Sequence, residues 1–333
     1  MNLLVTGGLG FIGGNFIHNR LSSFPDTNVL NLDSMSYGAN PRSLEDLNAN
    51  LRYRFEKCNV MDTKRVGEIA SQIDVIVNFA AETHVDRSIS NPKVFLESNV
   101  IGTHSLLEVA RKGNVQKFVQ ISTDEVYGSA SGIASFNENS LLNPSSPYSA
   151  SKAAADLFVM SYQSTYGLPA VILRCTNNFG PYQFPEKFIP KIIIRSLLGK
   201  QIPVYGNGLQ VRDWIYVTDF CDAINSAIEH GSIGTIYNVS PGNELPNIEV
   251  VKKILSFLKK PIDMISYVED RPGHDQRYSL NSRAIRENLG WSPRHQFEDA
   301  LRATVNWYLS NENWWKPLLD DKILSATPWK EKW

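Results

Sequence analysis

Thr6-Gly7-Gly8-Leu9-Gly10-Phe11-Ile12-Gly13 joins a short apolar run, Asn2–Thr6, to a segment of helical periodicity, Phe11–Leu21. Three glycines at this spacing each allow something a side chain would prevent. Gly7 permits the tight turn, Gly10 lets backbone approach a pyrophosphate, and Gly13 lets the helix pack closely on the strand. The helix beginning at Phe11 and Ile12 offers free N–H groups and a positive dipole end to phosphate. Glycine turns also join strands to helices for steric reasons alone, so position matters: this one opens the first strand–helix unit. Asp33 closes the second apolar run, 20 positions after Gly13. A carboxylate there can hold the adenosine ribose hydroxyls and repels a 2′-phosphate, which favours NAD over NADP.

Working outward, apolar runs at Asn2–Thr6, Val29–Asp33, Arg52–Lys57, Val75–Ala80, Lys117–Thr123 and Ala170–Arg174 read as strands. Helical periodicity separates them at Phe11–Leu21, Thr63–Ser71, Pro92–Lys112 and Pro147–Tyr166. Such alternation predicts an α/β fold, a Rossmann-type doubly wound parallel sheet with right-handed crossovers. Beyond residue 176 Pro, Gly and aromatic residues become denser, around Asn177–Pro190 and Pro203–Trp214. Helices are expected at Lys187–Leu198, Val217–Glu229, Asn247–Lys259 and Glu298–Leu309. We therefore expect a dinucleotide-binding domain over 1–176 and a smaller α/β substrate-binding lobe over 177–333. A strand near 236–239 could return to the first sheet. The tail tryptophans, Trp314, Trp315, Trp329 and Trp333, are expected to pack on the body.

Composition narrows the function classes. The 333 residues are 42% hydrophobic and 20% charged, with a formal net charge of −1. No global positive field recruits nucleic acid or an anionic membrane, so positive charge for an anionic ligand must be local. Cys58, Cys175 and Cys221 are odd in number and widely spaced; they give neither a disulfide framework nor a metal-ligand cluster, and inert buried thiols are expected. No apolar run approaches the ~20 residues needed to span a bilayer. The first strand starts without a basic region or cleavage site, so a cytoplasmic protein is expected.

Tyr148 and Lys152 are four apart in a helical segment and share one face. A nearby ammonium and a nicotinamide charge are expected to lower the tyrosine pKa from its usual ~10. Its phenolate can then take a proton from a sugar hydroxyl as hydride leaves the adjacent carbon. Thr123, at the preceding strand end, can bond the same hydroxyl. Asp124 and Glu125 add something a simple dehydrogenase does not need, an acid and a base for loss of water. After C4 of a hexose is oxidised its C5 hydrogen is acidic; we assign its removal to Glu125 and protonation of the departing C6 hydroxyl to Asp124. Desolvation and the adjacent like charge should keep one of them protonated near neutrality. Consecutive strand residues face opposite ways, so the backbone must bend here for both to reach one sugar. Arg212 and Arg271, in Gly/Pro-rich loops, offer guanidinium forks to a diphosphate. Tyr205 could stack on a base, whereas His84 and His274 lack ligand-spaced partners and predict no metal.

The segments STDEVYG (Ser122–Gly128) and PSSPYSASKAA (Pro144–Ala154) resemble nucleotide-sugar 4,6-dehydratases, which are extended short-chain dehydrogenases. The resemblance continues through AAETHVDRSI (Ala80–Ile89), NNFGPYQFPEKFIP (Asn177–Pro190), PVYGNGLQVRDW (Pro203–Trp214) and DRPGHDQRY (Asp270–Tyr278), covering nearly the whole chain. It implies Thr123, Asp124, Glu125, Tyr148 and Lys152 as the catalytic set. It implies a tightly held NAD on Gly7, Gly10, Phe11, Ile12, Gly13 and Asp33, with Asn59, Val60, Ala80, Ser98, Tyr148, Lys152 and Asn178. It further implies sugar and nucleotide contacts from Thr83, Thr123, Asn177, Glu186, Lys187, Pro203, Tyr205, Arg212, Asn247, Arg271, His274 and Tyr278. The substrate would be a nucleotide-diphosphate glucose and the assembly a homodimer joined through helices of the sheet domain.

The chain departs from that pattern in places. Asn59 stands where an acidic residue usually meets adenine, Thr83 replaces a serine, Ser98 replaces a threonine, and SMSYGAN (Ser34–Asn40) reorders a cofactor-side loop. None of these removes a catalytic group. A 4-epimerase or a uronate decarboxylase of the same superfamily would reuse Tyr148 and Lys152 without needing Asp124. A non-enzymatic dinucleotide-bound protein would need none of the five. Thymidine and uridine diphosphates differ by one methyl group, so a UDP-glucose dehydratase stands beside a thymidine one.

Overall fold

Leu3, Leu4, Val5, Ile76, Val77, Phe118, Val119 and the run Ala170–Leu173 are wholly inaccessible to solvent. Strands so apolar on both faces belong inside a parallel sheet covered by helices. The computed structural model describes residues 1–113 and 115–333. Its first six strands are β1 (Asn2–Thr6), β2 (Asn28–Asp33), β3 (Tyr53–Lys57), β4 (Val75–Asn78), β5 (Lys117–Thr123) and β6 (Ala170–Cys175). There follow β7 (Asn177–Phe179), β8 (Ile202–Tyr205), β9 (Val211–Tyr216), β10 (Ile236–Val239), β11 (Glu244–Pro246) and β12 (Ile265–Val268). One sheet runs β10-β6-β5-β4-β1-β2-β3, parallel at every pairing. Strand order reverses between β1 and β4, the crevice where such sheets bind ligands, and the glycine turn stands there.

Helices α1 (Phe11–Ser23), α2 (Thr63–Ile69), α3 (Val85–Ser90), α4 (Pro92–Phe95), α5 (Gly102–Gly113) and α6 (Pro147–Tyr166) alternate with these strands. The second half adds α7 (Phe188–Leu197), α8 (Val217–His230), α9 (Asn247–Phe257), α10 (Arg283–Leu289) and α11 (Phe297–Ser310). Residues of α1, α8 and α10 form the core on one sheet face; those of α2, α5 and α6 form it on the other. A separate core joins α7, α9 and α11 to β8 and β9, with Trp314 and Trp315 buried in it. Two small sheets, β11-β9-β7 and β12-β8, carry this second lobe. β10 pairs with β6, so the second half of the chain returns to the edge of the large sheet. Among the described residues no helix is long and apolar enough to cross a membrane.

Some boundaries differ from expectation. The helix expected over Pro92–Lys112 is α4, a π-helical stretch at Leu96–Ile101, then α5. The wide turn carries Ser98 and Asn99, and π-bulges of this kind mark functional sites. Asn99 accepts from the backbone N–H of Glu82 and donates to its carbonyl, at 2.8 and 3.0 Å. The strand expected to reach Ala80 ends at Asn78, because Phe79 and Ala80 turn to meet Gly7. The short α3 and the helix α10 had no apolar stripe long enough to announce them.

Two local features aim the site. Ser146 and Ser149 form a reciprocal capping box with Pro147 in the first turn, so α6 begins at a fixed place with Tyr148 and Lys152 one turn apart. Beneath it, Arg174 of β6 donates through Nε to Asp156 of α6 at 2.8 Å and through Nη1 to the Tyr127 hydroxyl at 2.8 Å. Both charged partners are buried, at 2% and 0% exposure. Asp156→Ala would strand a buried guanidinium and should cost about 3–5 kcal/mol, read as a lower urea midpoint at unchanged slope.

Candidate active site

Gly7 has φ of +71°, and a Cβ there would lie 2.7 Å from the Ala80 nitrogen; one on Gly13 would lie 2.6 Å from the Gly7 carbonyl. Only glycine lets these backbones approach. Gly10 caps α1 without a side-chain bond, leaving the helix N–H groups for an anion. Asp33 accepts from the N–H of Leu9 at 3.1 Å and of Met35 at 2.7 Å, tying β2 to the glycine turn. Burial pushes its pKa up, and those two N–H bonds oppose the shift.

A cavity of about 500 Å³ opens over this turn. It brings together all the residues expected at the cofactor: Gly7, Gly10, Phe11, Ile12, Gly13, Asp33, Asn59, Val60, Ala80, Ser98, Tyr148, Lys152 and Asn178. The fit to a dinucleotide is physical: bare helix N–H groups at one end, an acceptor carboxylate at the next strand end, and the Asn178 Oδ1 buried without a partner among the described residues. Asn59 Oδ1 already accepts the Met61 N–H at 2.9 Å, so only its second lone pair remains for an adenine amino group. Tyr37, Arg87 and Gln183 also line the cavity; sequence reading passed over them because their segments carried no recognisable chemistry alone.

The backbone bend required of the carboxylate pair comes directly after β5. Asp124–Tyr127 form a single 3₁₀ turn, and the Thr123 hydroxyl caps it by accepting the Glu125 N–H at 3.3 Å. Thr123 Oγ also bonds Asp124 Oδ1 at 3.1 Å, while Asp124 Oδ2 is buried with no partner among the described residues. Burial, then the Glu125 charge, raises the Asp124 pKa well above the carboxylate range. Burial also raises Glu125, but Arg271 and Arg212 oppose it. The pair titrates jointly, with Asp124 the last to lose its proton.

At Tyr148 the protein's own groups act against the lowering expected from an ammonium and a nicotinamide charge together. Burial, followed by the Glu125 carboxylate, holds its pKa well above that of a free phenol. The Lys152 ammonium does not offset this, because its Nζ donates to the Ile121 carbonyl at 2.7 Å and burial lowers its own pKa. Ionising Tyr148 therefore requires positive charge in the cavity beyond Lys152.

A second cavity of about 210 Å³ adjoins the first. Thr83, Asn177, Glu186, Lys187 and Glu125 line both, so Glu125 lies at the junction, with Asp124 in the wall of the larger cavity. Pro203, Tyr205, Arg212, Asn247, Arg271 and His274 complete the smaller one. Lys187 Nζ donates to the carbonyl and hydroxyl of Thr83 at 2.7 and 3.1 Å. The His274 ring bonds Asp270 at 2.6 Å, and burial lowers its pKa to about 4. Asn177 Oδ1, Asn247 Oδ1 and Arg271 Nε are buried without partners among the described residues. Buried polar groups left so demand an explanation, and a polar ligand is the simplest.

One substrate residue is placed differently from expectation. Tyr278 lies behind the wall: its hydroxyl donates to Asp275 at 2.8 Å and stands 3.4 Å from Glu125 Oε2, with the Arg212 guanidinium 4.1 Å over its ring. Tyr205 does line the cavity, but its hydroxyl is bonded to Asp86 at 2.8 Å and Trp329 packs edge-on at 4.8 Å. Asp86, Lys191 and Gln210 join the lining unannounced.

The sheet order, the glycine turn and a Tyr-x-x-x-Lys pair at the β5 end place this chain among the extended short-chain dehydrogenases and reductases. The GDP-mannose 4,6 dehydratase family profile matches residues 4–304. The dTDP-glucose 4,6-dehydratase of Xanthomonas campestris pv. campestris (strain B100) is 44% identical, with 95% of each chain covered. A solved dTDP-glucose 4,6-dehydratase from Streptomyces venezuelae, with NAD and TYD bound, superposes with a TM-score of 0.94 at 44% identity, covering 96% of this chain and all of that one. A UDP-glucose 4-epimerase from Thermotoga maritima shares the fold (TM-score 0.87) at 27% identity, covering 94% of this chain and all of that one. The chain belongs to the family of dTDP-glucose 4,6-dehydratases, NAD-dependent hydro-lyases acting on nucleotide sugars.

Burying Asp124 has a measurable cost. Its folded pKa is raised, so as pH climbs above the unfolded value the carboxyl ionises in the unfolded chain while the native one stays protonated, and stability falls; below that value the cost vanishes. Asp124→Asn should therefore raise the thermal midpoint at pH 7, and the gain should disappear below about pH 4 in calorimetric scans.

Proposed function

We propose that this protein converts dTDP-glucose to dTDP-4-keto-6-deoxyglucose, oxidising C4, losing water across C5 and C6, and reducing C6. The observation that carries the reading is the pair Asp124 and Glu125 on one capped turn, both in the dinucleotide cavity, with Glu125 lining the nucleotide-sugar cavity as well. Epimerisation or decarboxylation needs no such acid. Residues 1–176 would serve mainly the dinucleotide and 177–333 mainly the nucleotide sugar.

NAD, when bound, supplies the hydride acceptor for C4 and the hydride donor for C6, with no net redox change. Tyr148 takes the proton of the C4 hydroxyl, which the Thr123 hydroxyl holds in place. Once C4 is a ketone, Glu125 takes the C5 proton. Asp124, kept protonated by burial and by its neighbour, gives its proton to the C6 hydroxyl, which leaves as water. Its unpartnered Oδ2 is the free oxygen for that task. Reduction at C6 leaves an enolate over C4 and C5; Glu125 returns its proton to C5, O4 stays a ketone, and the proton Tyr148 took makes good the one Asp124 gave up. Glu186 and Lys187 hold the sugar hydroxyls; Arg212 and Arg271 hold the diphosphate as charge-assisted forks.

The family's dimer is a further part of this reading. Leu96, Ile101, Leu157 and Phe158 are exposed by 54, 47, 54 and 39%, on the π-helical stretch before α5 and on α6. A four-helix contact between two copies would cover that stripe. Nucleotide sugars and NAD are made and kept in the cytoplasm, where we place the activity.

Purified protein given dTDP-glucose, and separately UDP-glucose, without added NAD should show a new C6 methyl doublet by proton NMR, faster with the thymidine substrate. A product with inverted C4, or release of carbon dioxide from a uronate, would overturn the reading. Glu125→Gln should lower kcat at least about 100-fold, and near-normal dehydration by this variant would refute the base assignment. kcat should follow a bell: the acid limb falls as the pair gains the proton that silences Glu125, and the alkaline limb falls as it loses the Asp124 proton. Glu125→Gln should abolish the acid limb.

A further inference from the structure

Arg271, given above to the diphosphate, is already held by another residue. Its Nη1 donates to Asp86 Oδ1 at 2.8 Å. The Tyr205 hydroxyl donates to the other oxygen, Oδ2, also at 2.8 Å. One carboxylate thus ties together an arginine and an aromatic ring that form adjacent walls of the smaller cavity. Asp86 stands on α3 of the first lobe, while Arg271 and Tyr205 come from the second. Its exposure is 4%, so both bonds are shielded from competing water.

We propose that Asp86 is a positioning residue for the substrate's diphosphate, fixing the plane of the Arg271 guanidinium by one nitrogen so that its Nε edge meets the anion. The inference rests on the proposed use of the smaller cavity for a nucleoside diphosphate. Arg271 Nε is buried and has no partner among the described residues. A buried cationic N–H left unpaired is costly, and a phosphate oxygen is the strong, planar-matched acceptor that relieves it. The arginine is anchored at its other end as well, since its backbone N–H donates to Asp270 Oδ1 at 2.8 Å. Backbone and Nη1 are therefore fixed before any ligand arrives. An arginine free to choose among its rotamers would lose that freedom, and affinity with it, on being ordered by the ligand.

A carboxylate near an anion site invites the opposite reading, that of a counter-ion which the phosphate displaces. The charges facing Asp86 argue against it. Burial disfavours its ionised form, but Arg271, then His84, outweigh burial and hold its pKa at about 2. Lys191 faces the same carboxylate, and burial lowers that lysine to about 8. Asp86 therefore stays ionised, and keeps its partners, through neutral pH. Displacing it would also break the Tyr205 bond, which a diphosphate oxygen on Arg271 does nothing to replace.

The two roles predict opposite signs, and one set of variants separates them. dTDP binding by calorimetry and steady-state kinetics with dTDP-glucose should be measured for the wild type, Asp86→Asn, Asp86→Glu, Arg271→Ala and the Asp86→Asn/Arg271→Ala double variant. Positioning predicts that Asp86→Asn weakens dTDP and raises KM by at least about 10-fold, as loss of one charge-assisted bond would, with kcat and bound NAD little changed. Asp86→Glu, keeping the charge on a longer arm, should recover part of that loss. In the Arg271→Ala background Asp86→Asn should change the dTDP affinity less than about 2-fold, because coupled residues are non-additive. Tighter dTDP binding in Asp86→Asn, an equal penalty in both backgrounds, or a fall in kcat with KM kept would each overturn the proposal. Should the wild type bind dTDP yet give no methyl product, the catalytic reading fails while the calorimetric cycle still decides the role of Asp86.

Discussion

The constraint on which the site depends is the approach of Gly7 to Ala80, where a single added carbon would lie 2.7 Å from a backbone nitrogen. This contact joins the ends of β1 and β4, the two strands between which the sheet order reverses. Every other part of the dinucleotide cavity is referred to it. Asp33 reaches the same turn from β2 through the Leu9 N–H. The chain beyond Ala80 must then climb over the crevice, and it does so as α3 and the π-helical stretch that carries Ser98 and Asn99. The catalytic turn after β5 stands one strand away. Its place is set by the same parallel register, Asn78 pairing with Gln120.

Function follows from what that crevice does to charge. Two adjacent carboxylates inside a protein cannot both ionise at ordinary pH, and their surroundings decide which one yields. Asp124 has an unpartnered oxygen and a like charge beside it; Glu125 faces Arg271 and Arg212. The division into acid and base is thus a consequence of which side of one 3₁₀ turn faces the arginine-lined cavity. The same arginines give a near-neutral protein its local positive field, so substrate binding and the protonation of the pair share their charges.

Much of this was legible in the sequence because the signals were local. A glycine turn between strand and helix, a carboxylate at the next strand end, and Tyr148 and Lys152 one helical turn apart each state their geometry within a few residues. The strands buried on both faces were equally plain from their unbroken apolar runs. What could not be read there depends on contacts between distant segments. Tyr278 lies in a motif of the substrate lobe, yet its ring stands behind the cavity against Arg212, a placement fixed by the pairing of Tyr278 and Val211 backbones. The high Tyr148 pKa likewise reflects burial and Glu125, neither visible in a Tyr-x-x-x-Lys spacing. α3 was missed because six residues without a long apolar stripe give no helical period to detect.

That missed helix is where the two cavities are held apart and joined. Its consecutive residues look opposite ways: Asp86 binds Arg271 and Tyr205 in the smaller cavity, while Arg87 pairs with Glu82 at 3.0 Å and lies 3.6 Å over the Tyr37 ring beside the larger one. Tyr37 in turn donates to Glu186 at 2.5 Å, and His84 stands 3.3 Å from the same carboxylate. Glu186 lines both cavities. Arg271 in the smaller cavity and Tyr37 beside the larger one therefore meet adjacent residues of one short helix. Because such pairs gain most from good geometry and lose most when it is broken, this helix and Glu186 fix the wall between the two cavities, with Glu125 lining both.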